Sequence, residues 1–137
     1  MSTITISRPA LRTGRVLSGL SILLLALDSL AKLVKAAPVL AGTAQLGYPV
    51  SLVVPIGVIL AVCVAAYAIP ATSALGAVLL TGYLGGAVAT HLRLQNPLFT
   101  HTLFPIYIAA LVWGGLVLRE PRLRALLTGR SRREVQP

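Results

Sequence analysis

Very few side chains of this protein can do chemistry, and they occur at two places along the sequence. Asp28 and Lys32 stand four residues apart in an otherwise apolar segment. The stretch GGAVATHLRLQNPLFTHTLFPIY contains both histidines, His91 and His101, and also Arg93. A carboxylate, basic groups and two imidazoles can bind a polar group of a ligand or transfer a proton. The sequence therefore predicts these five side chains as candidate ligand-binding residues.

The composition indicates which elements must position them. Of the 137 residues, 56% are hydrophobic and only 11% are charged, and the mean hydropathy is +0.87. Soluble domains carry about 25% charged residues. No Asp, Glu, Lys or Arg occurs from residue 36 to residue 92, and a membrane-spanning helix needs about 20 apolar residues. The sequence therefore predicts an integral membrane protein, with two spans in that run alone.

Turn-forming residues divide the apolar sequence into four spans. Pro70 is expected to end one span, and Thr72 or Ser73 to cap the next. Asn96 is predicted as an N-cap and Pro97 as the first residue of the last span. The predicted spans cover about residues 14–35, 50–69, 71–92 and 97–118. Because two of the connections are very short, neighbouring spans are antiparallel, which predicts an all-α, up-down four-helix bundle in one domain.

The basic residues predict the orientation, since segments rich in Lys and Arg stay in the cytoplasm. Nine basic residues flank the two ends of the chain, and three lie on the other side. The nine are Arg8, Arg12, Arg15, Arg119, Arg122, Arg124, Arg130, Arg132 and Arg133, and the three are Lys32, Lys35 and Arg93. We therefore expect a multi-pass protein of the inner (plasma) membrane with both termini cytoplasmic. Residues 1–13 form a cytoplasmic segment, 14–118 the membrane domain and 119–137 a basic cytoplasmic tail.

The net charge of +9 also bears on partners. Basic segments beside a membrane are attracted to anionic lipid head groups, by roughly 1 kcal/mol per residue. The tail is short, has no aromatic residue and lies beside a span, so a nucleic-acid partner is not expected. The sequence predicts the lipid bilayer as the partner of these charges.

Helix geometry brings the candidate residues to one end of the bundle. Asp28 lies 13 residues beyond Arg15, or about 20 Å along the first helix, which places it in the outer third of the bilayer. His91 closes the third span, and His101 is expected one turn inside the fourth. Asp28, His91 and His101 are therefore predicted to face one small polar pocket that opens to the extracytoplasmic side. Pro105 would free the carbonyl of residue 101 there, and Pro55 would bend the second span in the same way.

Two structural alternatives stand beside this interpretation. Asp28 and Lys32 have the i, i+4 spacing of an intrahelical ion pair, which needs no ligand if the lysine reaches toward the interface. His91 by itself fits an interfacial hydrogen-bonding residue. An ionisable group inside a span is nevertheless costly and usually faces a cavity or a partner.

Small residues in the third span favour helix packing. Gly82 and Gly86 are spaced four residues apart and continued by Thr90, and Gly85 with Ala89 forms a second ridge. Such spacing lets another helix approach closely. Gly82, Gly85 and Gly86 are therefore predicted as helix-packing residues, within the bundle or against a second subunit, and a homo-oligomer is compatible with this prediction.

Several kinds of chemistry are absent from the sequence. The single cysteine, Cys63, leaves no pair for dithiol chemistry. No phosphate-binding glycine loop, nucleophile elbow or HExxH motif occurs. Two histidines on different helices can ligate a haem or, with Asp28, a metal ion. His91 lies too near the interface to face His101 squarely, so neither a haem nor a metal is expected.

The segments RVLSGLSILLLALDSLAKL, LGYP and GGAVATHLRLQNPLFTHTLFPIY, the last leading into LVWGGLVLREP, resemble the DoxX-like family of small bacterial membrane proteins. The resemblance covers about residues 15–121. It implies a four-helix bundle. Some relatives are associated with quinone-linked sulfur oxidation or with membrane-bound oxidoreductase assemblies, so the resemblance implies a quinone as the ligand and a membrane oxidoreductase subunit as the partner.

Three hypotheses about function follow. In the first, the pocket binds a lipophilic small molecule, a quinone or a lipid-like compound, for a redox partner. In the second, the protein is an assembly subunit whose glycine ridge packs against another membrane protein. In the third, it is an enzyme that uses a histidine as general acid or base, oriented by Asp28. The sequence favours the first.

Overall fold

The structure, a computed structural model, describes residues 5–129 and contains six helices. They are α1 (Arg8–Leu33), α2 (Ala37–Gln45), α3 (Val53–Ala68), α4 (Ser73–Arg93), α5 (Phe104–Arg119) and α6 (Pro121–Leu127). Short 3₁₀ turns occupy Val50–Leu52 and Pro70–Thr72, and a π-helical turn occupies Leu98–Thr102. Over residues 5–129 no strand occurs, which confirms the all-α class.

Four helical segments are long and apolar enough to cross a membrane, namely Arg8–Leu33, Val50–Ala68, Pro70–Arg93 and Leu98–Arg119. They agree with the predicted spans within about two residues, except that the first begins at Arg8 rather than at residue 14. Many large apolar side chains on these helices are exposed, as expected for helices that face lipid. The protein is a multi-pass membrane protein.

The spans form the predicted up-down bundle. Helix α1 packs against α3 and α5, and α4 packs against the same two helices, so that α1 and α4 lie diagonally opposite. We call the end of the bundle that carries α2 and the α4–α5 turn the α2 end. We call the opposite end, where α1 begins and α5 ends, the terminal end. The predicted cytoplasmic segments at 1–13 and 119–137 lie partly outside the described residues.

Close helix contacts at the terminal end are made by glycines that the sequence analysis did not single out. A Cβ atom on Gly14 of α1 would lie 2.9 Å from the carbonyl oxygen of Gly115 in α5, and one on Gly115 would lie 2.7 Å from the backbone nitrogen of Ser18. A Cβ atom on Gly76 would collide with the backbone of Tyr67, where α3 and α4 cross. These three positions allow the helix backbones to touch.

The buried core extends from these contacts toward the middle of the bundle. Tyr67, Leu60, Leu80 and Leu116 are completely buried. The hydroxyl of Tyr67 donates a hydrogen bond to the carbonyl of Val112 at 2.7 Å. A buried hydroxyl needs such a partner, since an unpaired one costs about 1–3 kcal/mol.

The basic residue at the end of α5 closes the terminal end. The guanidinium of Arg119 lies 5.4 Å from the ring centre of Tyr67 and donates a hydrogen bond to the Ser73 hydroxyl at 3.3 Å. Helix α6 follows at once and packs Leu123 against the core, while Leu126 and Leu127 are exposed. The beginning of the predicted tail is therefore helical and attached to the bundle.

Thr72 occupies the N-cap position of α4, as predicted, but without the side-chain hydrogen bond of a cap. The side chains of Thr72 and Ser73 do not cap α4; their hydroxyls donate to the carbonyls of Ala66 and Tyr67 at the end of α3. They therefore close the preceding helix. Pro70 begins the turn after α3, as expected.

The predicted effects of two prolines and one asparagine also differ from the structure. Asn96 is not an N-cap, because the N-cap position before the π-helical turn is occupied by Pro97, which was expected to be the first helical residue. Pro55 and Pro105 lie in the first turns of α3 and α5. The backbone N–H groups in the first turn of a helix have no intrahelical carbonyl acceptor, so proline, which lacks the N–H, is tolerated there. Neither proline therefore interrupts the interior of a helix.

Helix α2 was not predicted. Its sequence, APVLAGTAQ, lies inside the uncharged run and was interpreted as a connection between the first two spans. It has only nine residues and therefore cannot cross a bilayer. Instead it lies beside the ends of α1 and α3, where it covers one end of the bundle.

Candidate ligand-binding cavities

A cavity of about 590 Å³ opens within the α2 half of the bundle. All four spans contribute to its wall, and so do α2 and the segment that follows it. Most of the lining is apolar, including Leu25 of α1, Ile56 of α3, Leu84 of α4 and Ile108 of α5. The buried core thus fills the bundle toward the terminal end, whereas the α2 half encloses space. We call this space the larger cavity.

The polar groups of the larger cavity are concentrated toward the α2 end. On α1, Leu25 is followed by Asp28 one turn later and by Lys32 after another turn, a rise of about 10 Å in all. On α4, Thr90 and His91 lie nearly two turns beyond Leu84, which belongs to the apolar wall of the cavity. The cavity is therefore apolar in its depth and polar at one end. Tyr83, which is partly buried, is the exception, because it contributes a hydroxyl-bearing ring at greater depth.

A second cavity of about 390 Å³ lies between α2 and the turn that joins α4 to α5. We call it the smaller cavity. Its polar lining consists of Lys32, Thr43, Gln45, His91, Asn96 and His101. Four residues line both cavities, namely Lys32, Thr43, Leu46 and His91. The two spaces therefore adjoin along a common wall.

Asp28 and Lys32 form the intrahelical ion pair that their spacing predicted as an alternative to a ligand site. The side chain of Lys32 is only 14% exposed, and that of Asp28 is 45% exposed. Both also line the larger cavity. The ion pair and the cavity therefore coexist, and each charge is compensated without help from another helix.

His91 lies at the junction of the two cavities, and its ring is held by a neighbour. Its Nδ1 atom lies 2.9 Å from the side-chain nitrogen of Asn96. An amide nitrogen only donates, so Nδ1 accepts and the proton of the neutral ring is on Nε2. Asn96, which the sequence analysis assigned to helix capping, thus fixes the tautomer of a candidate ligand-binding residue.

His101 lies in the first turn of the fourth span, as expected, but this turn is π-helical and the His101 side chain is exposed. Its ring centre is 5.9 Å from that of His91, with the ring planes at 68°. Its Nδ1 atom is 2.7 Å from the hydroxyl oxygen of Thr100. The two histidines are therefore in edge-to-face contact at the rim of the smaller cavity.

The single pocket expected for Asp28, His91 and His101 is divided in the structure. Asp28 lines only the larger cavity, and His101 lines only the smaller one. His91 lines both, as does Lys32. The three residues lie at one end of the bundle, as predicted. Asp28 and His101, however, are separated by the wall that the two cavities share.

Arg93 lines neither cavity and has a structural contact instead. Its Nη2 atom donates a hydrogen bond to the carbonyl of Leu46 at 3.0 Å. Close by, the hydroxyls of Tyr48 and Thr90 are hydrogen-bonded at 2.9 Å. Both bonds tie the segment after α2 to the end of α4. The LGYP sequence contains this tyrosine, but its position in sequence gave no indication that it lines a cavity.

The three glycines predicted to pack helices contact no neighbouring helix among residues 5–129. A Cβ atom on Gly82, Gly85 or Gly86 would meet nothing within 4 Å. Gly86 instead lines the larger cavity. Packing of Gly82 and Gly85 therefore remains a prediction about a second protein chain and does not apply inside the bundle.

Donor groups for a metal ion are few. Among residues 5–129 no group of three or more His, Cys, Asp or Glu side chains is arranged to hold a metal ion. Cys63 is buried in α3 and lines neither cavity. The linings of the two cavities offer apolar contacts and hydrogen-bonding groups.

Comparison with known proteins identifies the family. The sequence profile described as the DoxX-like family matches residues 16–115, which include most of α1, all of α2 to α4 and most of α5. No curated protein and no solved structure matches the chain. The matched region contains the second and third spans, most of the first and fourth, and all of the residues that line the two cavities. The chain belongs to the DoxX-like family.

Proposed function

We propose that this protein binds a lipophilic small molecule, a quinone- or lipid-like compound, in the larger cavity. The observation that carries the proposal is an apolar space of about 590 Å³ with polar side chains at one end. Small-molecule sites typically measure about 300–1,000 Å³ and combine an apolar wall with a few polar groups. An amphiphilic molecule fits this distribution, with its apolar part between the helices.

The polar groups have defined roles in this proposal. His91 offers its Nε2–H as a donor, because its other ring nitrogen is occupied by Asn96. Asp28 and Lys32 offer acceptor and donor positions beyond those used in their ion pair. A carbonyl, hydroxyl or ester group of a ligand finds partners of both kinds here.

The proposal includes the location of the site. By the positive-inside rule, the α2 end faces the extracytoplasmic side of the inner (plasma) membrane. The ligand would then lie in the outer half of the bilayer, accessible to a membrane oxidoreductase subunit as redox partner. No haem or metal is required for such binding.

Binding is tested with purified protein in nanodiscs, with two probes, a benzoquinone that carries a decyl tail and palmitoyl monoglyceride. Ala87 lines the larger cavity, so Ala87→Trp should fill it and abolish binding of any probe that the wild type binds. Ala110 is exposed on α5 and lines neither cavity. Ala110→Trp is therefore the matched control and should bind normally.

The result decides between clear alternatives. Loss of binding in Ala87→Trp, with retention in Ala110→Trp, supports the proposal. If neither probe binds wild-type protein, or if both variants bind like wild type, the larger cavity is not the site. Turnover of a bound probe would instead favour the enzyme hypothesis with a histidine as general acid or base.

A second candidate function is assembly with another membrane protein or with a second copy of this chain. The observation that favours it is that Gly82 and Gly85 are exposed and have open space around them, although no helix of the same chain uses it. Gly85→Leu should not lower the thermal stability of the monomer, because Leu favours the helix more than Gly does, and it should reduce the size of any complex isolated in mild detergent. An unchanged complex would exclude this surface as its interface.

A further inference from the structure

We infer that the ligand is an anionic amphiphile, with its apolar chain in the larger cavity and its carboxylate or phosphate head group in the smaller one. This inference rests on the proposed function and specifies the chemical class of the ligand. It follows from two observations, the four lining residues that the adjoining cavities share and the kind of polar groups that line the smaller one.

The cavities are placed to hold two parts of one molecule. Lys32, Thr43, Leu46 and His91 line both. The larger cavity lies among the apolar spans, and the smaller one lies beneath α2, next to the exposed turn that carries His101. A molecule that occupies both cavities therefore has one end between the helices and the other near the aqueous phase.

The smaller cavity is lined by groups that favour an anion. Lys32 is a cation, and the side chains of Asn96 and Gln45 carry amide donors. His91 and His101 each carry a ring N–H when neutral and two when protonated. No carboxylate lines this cavity among the described residues, since Asp28 lines only the larger one. Hydrogen bonds to a charged acceptor are about twice as strong as those between neutral groups.

The ion pair of Lys32 does not consume its capacity to bind. An ammonium group has three N–H donors, and the contact with Asp28 uses one. The Lys32 side chain is mostly buried at the shared wall, where water competes less for the remaining donors. Lys35, by contrast, is exposed and lines neither cavity, so it provides a matched basic residue outside the site.

The test measures binding to the protein in nanodiscs made only of zwitterionic phosphatidylcholine. Four probes are compared: palmitoyl lysophosphatidic acid, palmitate, palmitoyl monoglyceride and glycerol phosphate. They separate the contribution of the charge from that of the chain. We expect at least one of the two anionic long-chain probes to bind wild-type protein roughly tenfold more tightly than the monoglyceride. Glycerol phosphate should not compete, and the tighter of the two anionic probes identifies the head group.

Three variants locate the charge preference. The double variant Asp28→Asn/Lys32→Gln removes the cation without leaving an unpaired carboxylate, and His101→Ala changes only an exposed turn residue. In each of these two, the preference for the anionic long-chain probe over the monoglyceride should narrow to within about threefold, because the anionic probe loses more affinity than the uncharged one. Lys35→Gln should keep the full preference.

The outcomes separate this inference from the proposed function. If no long-chain probe binds, the proposed function fails and the inference fails with it. If charged and uncharged probes bind equally, only the inference is overturned. It is also overturned if glycerol phosphate competes as well as the long-chain phosphate, or if the preference survives in both the double variant and His101→Ala.

Discussion

Tyr48 and Thr90 join two distant parts of the chain through their hydroxyl groups, which lie 2.9 Å apart across 42 residues of sequence. The tyrosine belongs to the segment that follows α2, and the threonine lies in the last two turns of α4. Both residues line the larger cavity. This bond and the hydrogen bond from Arg93 to the Leu46 carbonyl attach α2 and the segment that follows it, which together cover the cavities, to the end of α4.

Tyr48→Phe should weaken the attachment of this cover. The ring is retained, and Thr90 keeps its bond to the carbonyl of Gly86, so only one hydrogen bond is lost. We expect destabilisation by about 0.5–1.5 kcal/mol, measured as a lower thermal midpoint in detergent. Tyr107→Phe is the control, because the Tyr107 hydroxyl makes only a long, exposed bond to the carbonyl of Phe99. Equal midpoints for the two variants would show that the bond adds no stability.

Gly76 and Gly82 should respond in opposite ways to substitution by alanine. A Cβ atom at Gly76 collides with the backbone of Tyr67, whereas one at Gly82 meets nothing within 4 Å. Gly76→Ala should cost about 1–3 kcal/mol through overpacking, and Gly82→Ala should stabilise α4 by up to about 1 kcal/mol. Thermal unfolding of both variants in one detergent checks the order. A Gly76→Ala protein as stable as wild type would contradict the close crossing of α3 and α4.

Asp28 and Lys32 should behave as one energetic unit, whereas Asp28 and His101 should not. The first two are in contact, and the last two line different cavities. Residues without shared partners usually have additive effects, within about 0.3–0.5 kcal/mol. In double-mutant cycles of thermal stability, Asp28→Asn with His101→Ala should therefore be additive, and Asp28→Asn with Lys32→Gln non-additive. Strong coupling in the first cycle would restore the single pocket expected from the sequence.

The orientation of the bundle is tested with reporter fusions. Nine of the twelve basic residues lie toward the ends of the chain, so a C-terminal fusion should be active only with a reporter that works in the cytoplasm. A fusion placed after Lys35, in the exposed segment before α2, should give the opposite result. Activity of an extracytoplasmic reporter at the C-terminus would reverse the assignment of the α2 end.

The four spans could be predicted because bilayer thickness constrains them strongly. A run of 57 residues without a charged side chain, from residue 36 to residue 92, is long enough for two membrane-spanning helices and is rarely found outside a membrane. Pro70 and Pro97 mark connections because proline cannot continue a preceding helix. These signals are local, so sequence alone reveals them.

The cavities could not be predicted, because they depend on how helices pack. Nothing in the APVLAGTAQ segment distinguishes a covering helix from a connection. Asn96 carries the same local signal as an N-cap, yet its partner is His91. Spacing alone also does not reveal that Gly76, rather than Gly82, faces another helix. Each of these outcomes is decided by contacts between residues on different elements.

The ion pair within α1 has a consequence for how the protein enters the membrane. During synthesis α1 emerges before any helix that could compensate its charges, because domains form from the N-terminus. A lone charge at the centre of a span raises the insertion free energy by about 2.5–3.5 kcal/mol. Asp28 and Lys32 compensate one another one turn apart on the same helix. The first helix can therefore partition into lipid as a nearly neutral unit, and the bundle is later assembled around charges that have already been paired.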